Sequence, residues 1–254
     1  MRLADVGMIA ADTSRSRAYL QALVRNNFLP NYVLVLGSTD GKIMPGQIGE
    51  SQRDLVTPEI SGPDGCWSEA RFDLTKSIIG SLADVNVPYD ACASQDINDP
   101  SVVEEIRRRP ESVFIYSGFG GSLLRKGVLE TGKRFLHVHG GYLPAFKGST
   151  TNYYSLLTEN ALGASSLFLT SDIDSGPVLV RRKFPPPEDR RAIDHIYDSG
   201  ARAKVLIETI RNYVKCGDWE FELPNNIGGE TYYIIHPVLK HIAILEKGCG
   251  AQCE

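Results

Sequence analysis

Three short apolar runs, Val6 to Ala11, Tyr32 to Leu36 and Val113 to Tyr116, constrain this chain more than any other feature. A strand covered on both faces reads as continuous apolar sequence, whereas a strand with one wet face alternates. Runs of this kind belong to parallel sheets enclosed by helices. Asp12-Thr13-Ser14 supplies N-cap chemistry directly after the first run, and Leu20, Leu23 and Val24 then fall on one helical face until Pro30 stops the helix. The opening is therefore strand, helix, strand, which implies a right-handed parallel crossover. The expected fold is α/β, a mostly parallel twisted sheet flanked by helices.

The remaining elements follow from the same signals. Residues 37 to 66 are rich in Gly and Pro and read as an excursion from the sheet. A helix is expected from Ser68 to Leu82, a strand around Asp90 to Ser94, and a helix opened by Asp99-Pro100-Ser101. A glycine-rich turn, Ser117-Gly118-Phe119-Gly120-Gly121, then leads to a helix from Leu123 to Leu129. Thr150 to Leu157 reads as a helix, and 164 to 170 and 177 to 184 read as paired strands. Ile193, Ile196, Tyr197, Gly200, Ile207, Ile210 and Val214 give the spacing of one long helix, closed by Cys216-Gly217. The final 37 residues show no helical period, and Thr231 to Ile235 reads as a strand. In chain order this gives a main α/β domain at 1–187, a helix packed on it at 188–217, and a C-terminal appendage at 218–254.

Bulk properties narrow the class. A net charge of −4 with scattered Lys and Arg argues against nucleic acid as a partner. No window approaches the length of a membrane span, and the N-terminus has no signal-peptide pattern. Five cysteines at irregular positions fit a reducing compartment, so a cytoplasmic location is expected.

The chemistry concentrates in one stretch. Phe135-Leu136-His137-Val138-His139 reads as a buried strand, and residues two apart on a strand share a face, so both imidazoles point the same way. Asp172-Ile173-Asp174-Ser175-Gly176 forms the turn between the two later strands, so an acidic residue could complete a His/His/Asp cluster. The Gly118 to Gly121 turn lies where open α/β sheets bind ligands, beyond a strand's C-terminal end, although it lacks the dinucleotide-binding spacing.

From Tyr116 to Lys183 the chain resembles the formyltransferase family, which moves a formyl unit from 10-formyltetrahydrofolate. The family's Asn-x-His strand reads here His137-Val138-His139. Its Leu-Leu-Pro-x-x-x-Gly turn reads Tyr142-Leu143-Pro144-Ala145-Phe146-Lys147-Gly148, and its Asp-x-Gly element reads Asp174-Ser175-Gly176. The resemblance implies that His139 and Asp174 are catalytic and that Gly118, Phe119, Gly120, Gly121, Leu123 and Asp172 bind the folate co-substrate. Amine attack on a formyl carbon creates an oxyanion that needs donors already aimed at it, and a carboxylate beside an imidazole raises its pKa and orients it.

The departure is His137, which stands where the family has Asn. Three readings stay open: His137 donates to the oxyanion in place of the amide, it marks a different reaction, or His137, His139 and Asp174 ligate a metal. The site assignment carries no metal. The resemblance implies a small-molecule amine as acceptor, because the tRNA-acting branch has a C-terminal barrel for which too few residues follow the long helix. A specialised amino acid or amino sugar is the expected acceptor, a homodimer is an allowed assembly, and hydrolysis or a binding protein without chemistry are the alternative functions.

Overall fold

A computed structural model describes residues 1–39, 42–43, 67 and 70–245. The excursion expected at 37–66 falls mostly outside these residues. Its described part pairs Ser38–Thr39 with Lys42–Ile43.

The apolar runs form the centre of a seven-stranded sheet. β1 (Val6–Ala11), β2 (Val33–Leu36), β3 (Tyr89–Cys92), β4 (Val113–Ser117) and β5 (Arg134–His139) run parallel, in the spatial order β3-β2-β1-β4-β5. β7 (Leu162–Phe168) and β8 (Val178–Phe184) extend the sheet beyond β5 as antiparallel strands. A separate short pair joins β6 (Phe146–Gly148) to β9 (Glu230–Tyr232). The chain leaves β1 toward β2 on one side and returns at β4 on the other. The crevice beyond the C-terminal ends of β1 and β4 is thus the topological switch point, where such sheets take ligands.

Helices cover both faces. α1 (Ser14–Arg25) is capped by the Thr13 hydroxyl, which accepts from the Ser16 amide. α1 packs with α6 (Asp198–Cys216) over a core that includes Leu20, Leu23, Val138, Leu206 and Ile210, all buried. On the opposite face α3 (Pro100–Arg108) lays Val102 and Ile106 against Ile9, Leu34 and Phe114. Each Leu or Ile so buried contributes roughly 1.5–3 kcal/mol. Leu23→Ala would therefore cost about 2–5 kcal/mol. Trp67, fully buried, packs edge-on to Tyr197 and stacks on Phe184. The first core also takes in Trp219, Ile235 and Ala243 from the C-terminal stretch.

Four expectations change. The helix expected from Ser68 is confined to α2 (Ile78–Ala83), because Asp73 ties down the Thr75 amide and hydroxyl and Ser77 caps the helix only there. The helix expected from Leu123 is only α4 (Lys126–Leu129), since Asn98 takes the Leu123 carbonyl and the Arg125 amide. The long helix is interrupted: a 3₁₀ turn at Arg190–Ala192 and a π-turn at Ile193–Tyr197 precede α6. The terminal stretch contains α7 (Pro237–Ile244), with Pro at its first turn and His236 accepting from the Val238 amide. α5 (Thr151–Glu159) and the hairpin from β7 to β8 form as expected. Among the described residues no helix is long and apolar enough to cross a membrane.

Candidate active site

β5 carries His137 and His139 on one face, paired against Leu167 and Ser165 of β7. His139 is 5% exposed and fully engaged. Its Nε2 lies 2.8 Å from the Phe146 carbonyl, which can only accept, so Nε2 carries a proton. Its Nδ1 lies 3.3 Å from Asp174 Oδ2, which leaves one further proton to be held between ring and carboxylate. Burial lowers the His139 pKa, with Asp174 acting against it.

The turn that delivers Asp174 is held from several directions. Asp174 sits at φ 48°, the left-handed region that Asp tolerates better than most residues. Its Oδ2 accepts from the Gly148 amide at 2.8 Å, and the Asn226 side-chain amide donates to the carbonyls of Asp174 and Gly176. Lys147, buried, donates to the Ser175 hydroxyl and the Asn226 carbonyl. A Cβ on Gly176 would lie 1.8 Å from the Phe168 carbonyl, so this turn closes only with glycine. Asp174 Oδ1 carries no hydrogen bond among the described residues.

His137 is placed differently. Its Nδ1 lies 3.2 Å from the Tyr116 carbonyl and therefore donates. In the neutral ring that tautomer leaves Nε2 as a lone-pair acceptor, and Nε2 has no partner among the described residues. Burial, reinforced by Arg15 and Arg202, holds the His137 pKa well below the usual imidazole range. The ring is neutral at working pH, and its free nitrogen accepts.

Both histidines line a cavity of about 470 Å³ at the switch point. The expected residues Phe119, Gly120, Gly121, Leu123 and Asp172 line it as well. Gly118 does not. A Cβ there would meet the Tyr116 hydroxyl at 2.5 Å and its ring at 2.7 Å, so Gly118 makes room for a neighbouring side chain, while Gly120 faces open space. A metal set built on His137, His139 and Asp174 does not form, and no group of three or more His, Cys, Asp or Glu among the described residues could hold an ion.

Other cavity residues were not anticipated. Arg15, from the first turn of α1, donates to the Ser117 hydroxyl at 3.2 Å and to the Gly118 carbonyl. The adjacent loop is fixed by a buried bidentate pair, Arg17 with Asp12, both contacts at 2.7 Å. Arg202 donates to the Val138 carbonyl at 3.1 Å and pairs with Asp198 at 2.8 Å, while Asp198 accepts from Asn152. Burial opposes the Arg202 charge, but Asp198, Tyr19 and Asp174 together outweigh it and raise its pKa. The rim is completed by Thr231 to Ile234, of which Thr231 and Tyr232 lie on β9, paired with β6. The (i, i+4) spacing of Asp198 and Arg202 was visible in the sequence as an ion pair, though its place beneath the cavity was not.

No protein-family model matches the chain. The methionyl-tRNA formyltransferase of Roseiflexus sp. (strain RS-1) is 24% identical over 193 residues, covering 74% of this chain and 58% of the relative. The chain thus spans less than two thirds of that relative. Among solved structures, an N-formyltransferase from Helicobacter canadensis in complex with folinic acid and dTDP-3-aminofucose superposes with a TM-score of 0.54 at 14% identity, covering 91% of this chain and 71% of that one. The phosphoribosylglycinamide formyltransferase of Streptococcus pneumoniae TIGR4 gives a TM-score of 0.53 at 13% identity, covering 84% of this chain and 99% of its own. The chain is thus similar in sequence to methionyl-tRNA formyltransferases and shares its fold with solved formyltransferases.

Proposed function

We propose that the protein transfers the formyl group of 10-formyltetrahydrofolate to a primary amine of a small metabolite, an amino acid or amino sugar. The observation that carries this reading is the division of labour between the two imidazoles on one strand face. His137 Nε2 is an unpartnered acceptor on the cavity, and the His139–Asp174 pair holds a proton beside it. An acceptor that takes a proton and a pair that returns one is what amine attack on an amide-like carbon requires.

His137 Nε2 takes the proton from the amine as its nitrogen bonds to the formyl carbon. The proton shared by His139 Nδ1 and Asp174 Oδ2 goes to the nitrogen that departs with tetrahydrofolate when the old C–N bond breaks, and the proton taken up by His137 returns to the pair through water before the next turnover. Atoms and charge then balance. The neutral state of His137 favours this base role over the oxyanion-donor role, because the Nδ1–H is already committed to Tyr116. The open space at Gly120 and the turn through Leu123 leave a wall for a flat heterocycle. Neighbouring structures contain folinic acid or 5-N-formyl-THF, which supports a folate donor.

The test is incubation with 10-formyltetrahydrofolate and a panel of small amines, with mass spectrometry of the products. A formylated amine together with stoichiometric tetrahydrofolate is the expected result. Free formate without acceptor would replace transfer by hydrolysis, and tight folate binding without turnover would replace it by a binding role. Methionyl-tRNA belongs in the panel because the curated relatives include methionyl-tRNA formyltransferases, and its formylation in preference to every small amine would overturn the acceptor class.

A further inference from the structure

We infer that Arg15, supported by Arg202, forms an anion subsite that selects acceptor amines bearing a carboxylate or phosphate; the inference rests on the transfer reading above. Arg15 lies on the cavity wall, and its guanidinium contacts only a hydroxyl and a backbone carbonyl. No carboxylate forms an ion pair with it among the described residues. Of the other cavity charges, Arg202 is paired with Asp198, Asp174 with His139 and Asp194 with Lys240, while Asp172 forms no ion pair among the described residues. A half-buried cation without a contact ion pair is costly: burial and Arg202 depress the Arg15 pKa, with Asp198 acting against them from beyond contact distance. A guanidinium fork with a free edge matches a carboxylate or phosphate oxygen pair.

The position of Arg15 fits an acceptor rather than a spectator ion. It anchors on Gly118 O, and His137 anchors on Tyr116 O of the same strand end. Two residues of extended chain separate these carbonyls by roughly 7 Å. An anionic group held by Arg15 therefore leaves an amine a few bonds away within reach of His137 Nε2. Arg202, its charge paired with Asp198, packs against Gly140 and is tied to the Val138 carbonyl on the same cavity.

The experiment compares matched amines with the full-length protein and 10-formyltetrahydrofolate: glucosamine against glucosamine 6-phosphate, and cadaverine against lysine. It also measures the thermal shift produced by inorganic phosphate or acetate with no donor present. An anionic member of a pair is expected to be preferred by at least about tenfold in kcat/KM, with the preference falling toward unity in Arg15→Gln and partly kept in Arg15→Lys. The phosphate pair and the carboxylate pair identify which anion is used. The Arg15→Gln protein should retain a cooperative melt but lose the anion-dependent shift. Equal use of neutral and anionic amines, or a preference that survives Arg15→Gln, would sink the subsite while leaving transfer standing. Anion-dependent stabilisation lost in Arg15→Gln, with no transfer to any amine, would keep the subsite and remove the transfer reading.

Discussion

On the antiparallel side of the cavity, where β5, β6 and the turn from Asp172 to Gly176 meet, nearly every polar group is answered from within the fold. His139 uses both ring nitrogens, Asp174 Oδ2 takes an amide and the imidazole, and Lys147 and Asn226 brace the turn. At the ends of β1 and β4 the opposite holds. His137 keeps one nitrogen free, and Arg15 forms no ion pair among the described residues. Buried polar groups are normally satisfied, so the satisfied corner holds geometry and the unsatisfied corner is where a substrate supplies the missing partners. Two histidines two residues apart thus differ in role because their second nitrogens meet different surroundings.

The largest expected effect tests the unsatisfied corner. His137→Ala should lower transfer by about 10²–10⁴-fold. His137→Asn should do no better, because an amide accepts hydrogen bonds but does not hold a proton. Both are to be assayed on one acceptor, and an Asn variant far more active than the Ala variant would restore the oxyanion-donor role.

The satisfied corner is tested by Asp174→Asn, which can keep the left-handed turn and the Gly148 contact while losing the charge. Turnover should fall about a hundredfold. The melting temperature should change little. Near-normal turnover would remove the His139–Asp174 pair from proton transfer.

A smaller effect separates two neighbouring glycines. Gly120→Val enters open cavity space and should weaken reduced-folate binding about tenfold by calorimetry. Circular dichroism should remain that of the parent. Gly118→Ala meets the Tyr116 ring and should lower stability instead. Unchanged folate affinity in the Gly120 variant would move the donor away from this wall.

The smallest effect is a slope. Because the folded pKa of His137 is depressed, the unfolded chain binds more protons at pH values just below about 6.5. Stability from this group is complete above that pH and is lost as pH falls toward the folded value. Melting temperatures across this window should fall less steeply for His137→Asn than for the parent. His139, also depressed, keeps part of the slope in both. Identical slopes would mean that His137 is not held neutral by its surroundings.

The sequence by itself determined the elements whose local signals agree with their burial. β1, β2 and β4 are doubly covered, so their apolar runs were legible, and the two-residue period of β5 put both imidazoles on one face. The approach of Asp174 to His139 was legible because both lie in short runs within a few residues of strand ends. Helix lengths were less legible, since single side chains such as Asn98 and Asp73 claimed the backbone groups that a longer helix would have used. α7 was missed although His236-Pro237 is a helix-start signal, because the preceding strand-like residues dominated the pattern. Only the tertiary structure decided the rest. Arg15 and Arg202 are far apart in the chain, and packing of α1 on α6 brings both to the strand ends. Likewise, what distinguishes His137 from His139 is a pair of carbonyls, Tyr116 O and Phe146 O, and a backbone acceptor leaves no mark in the sequence of side chains.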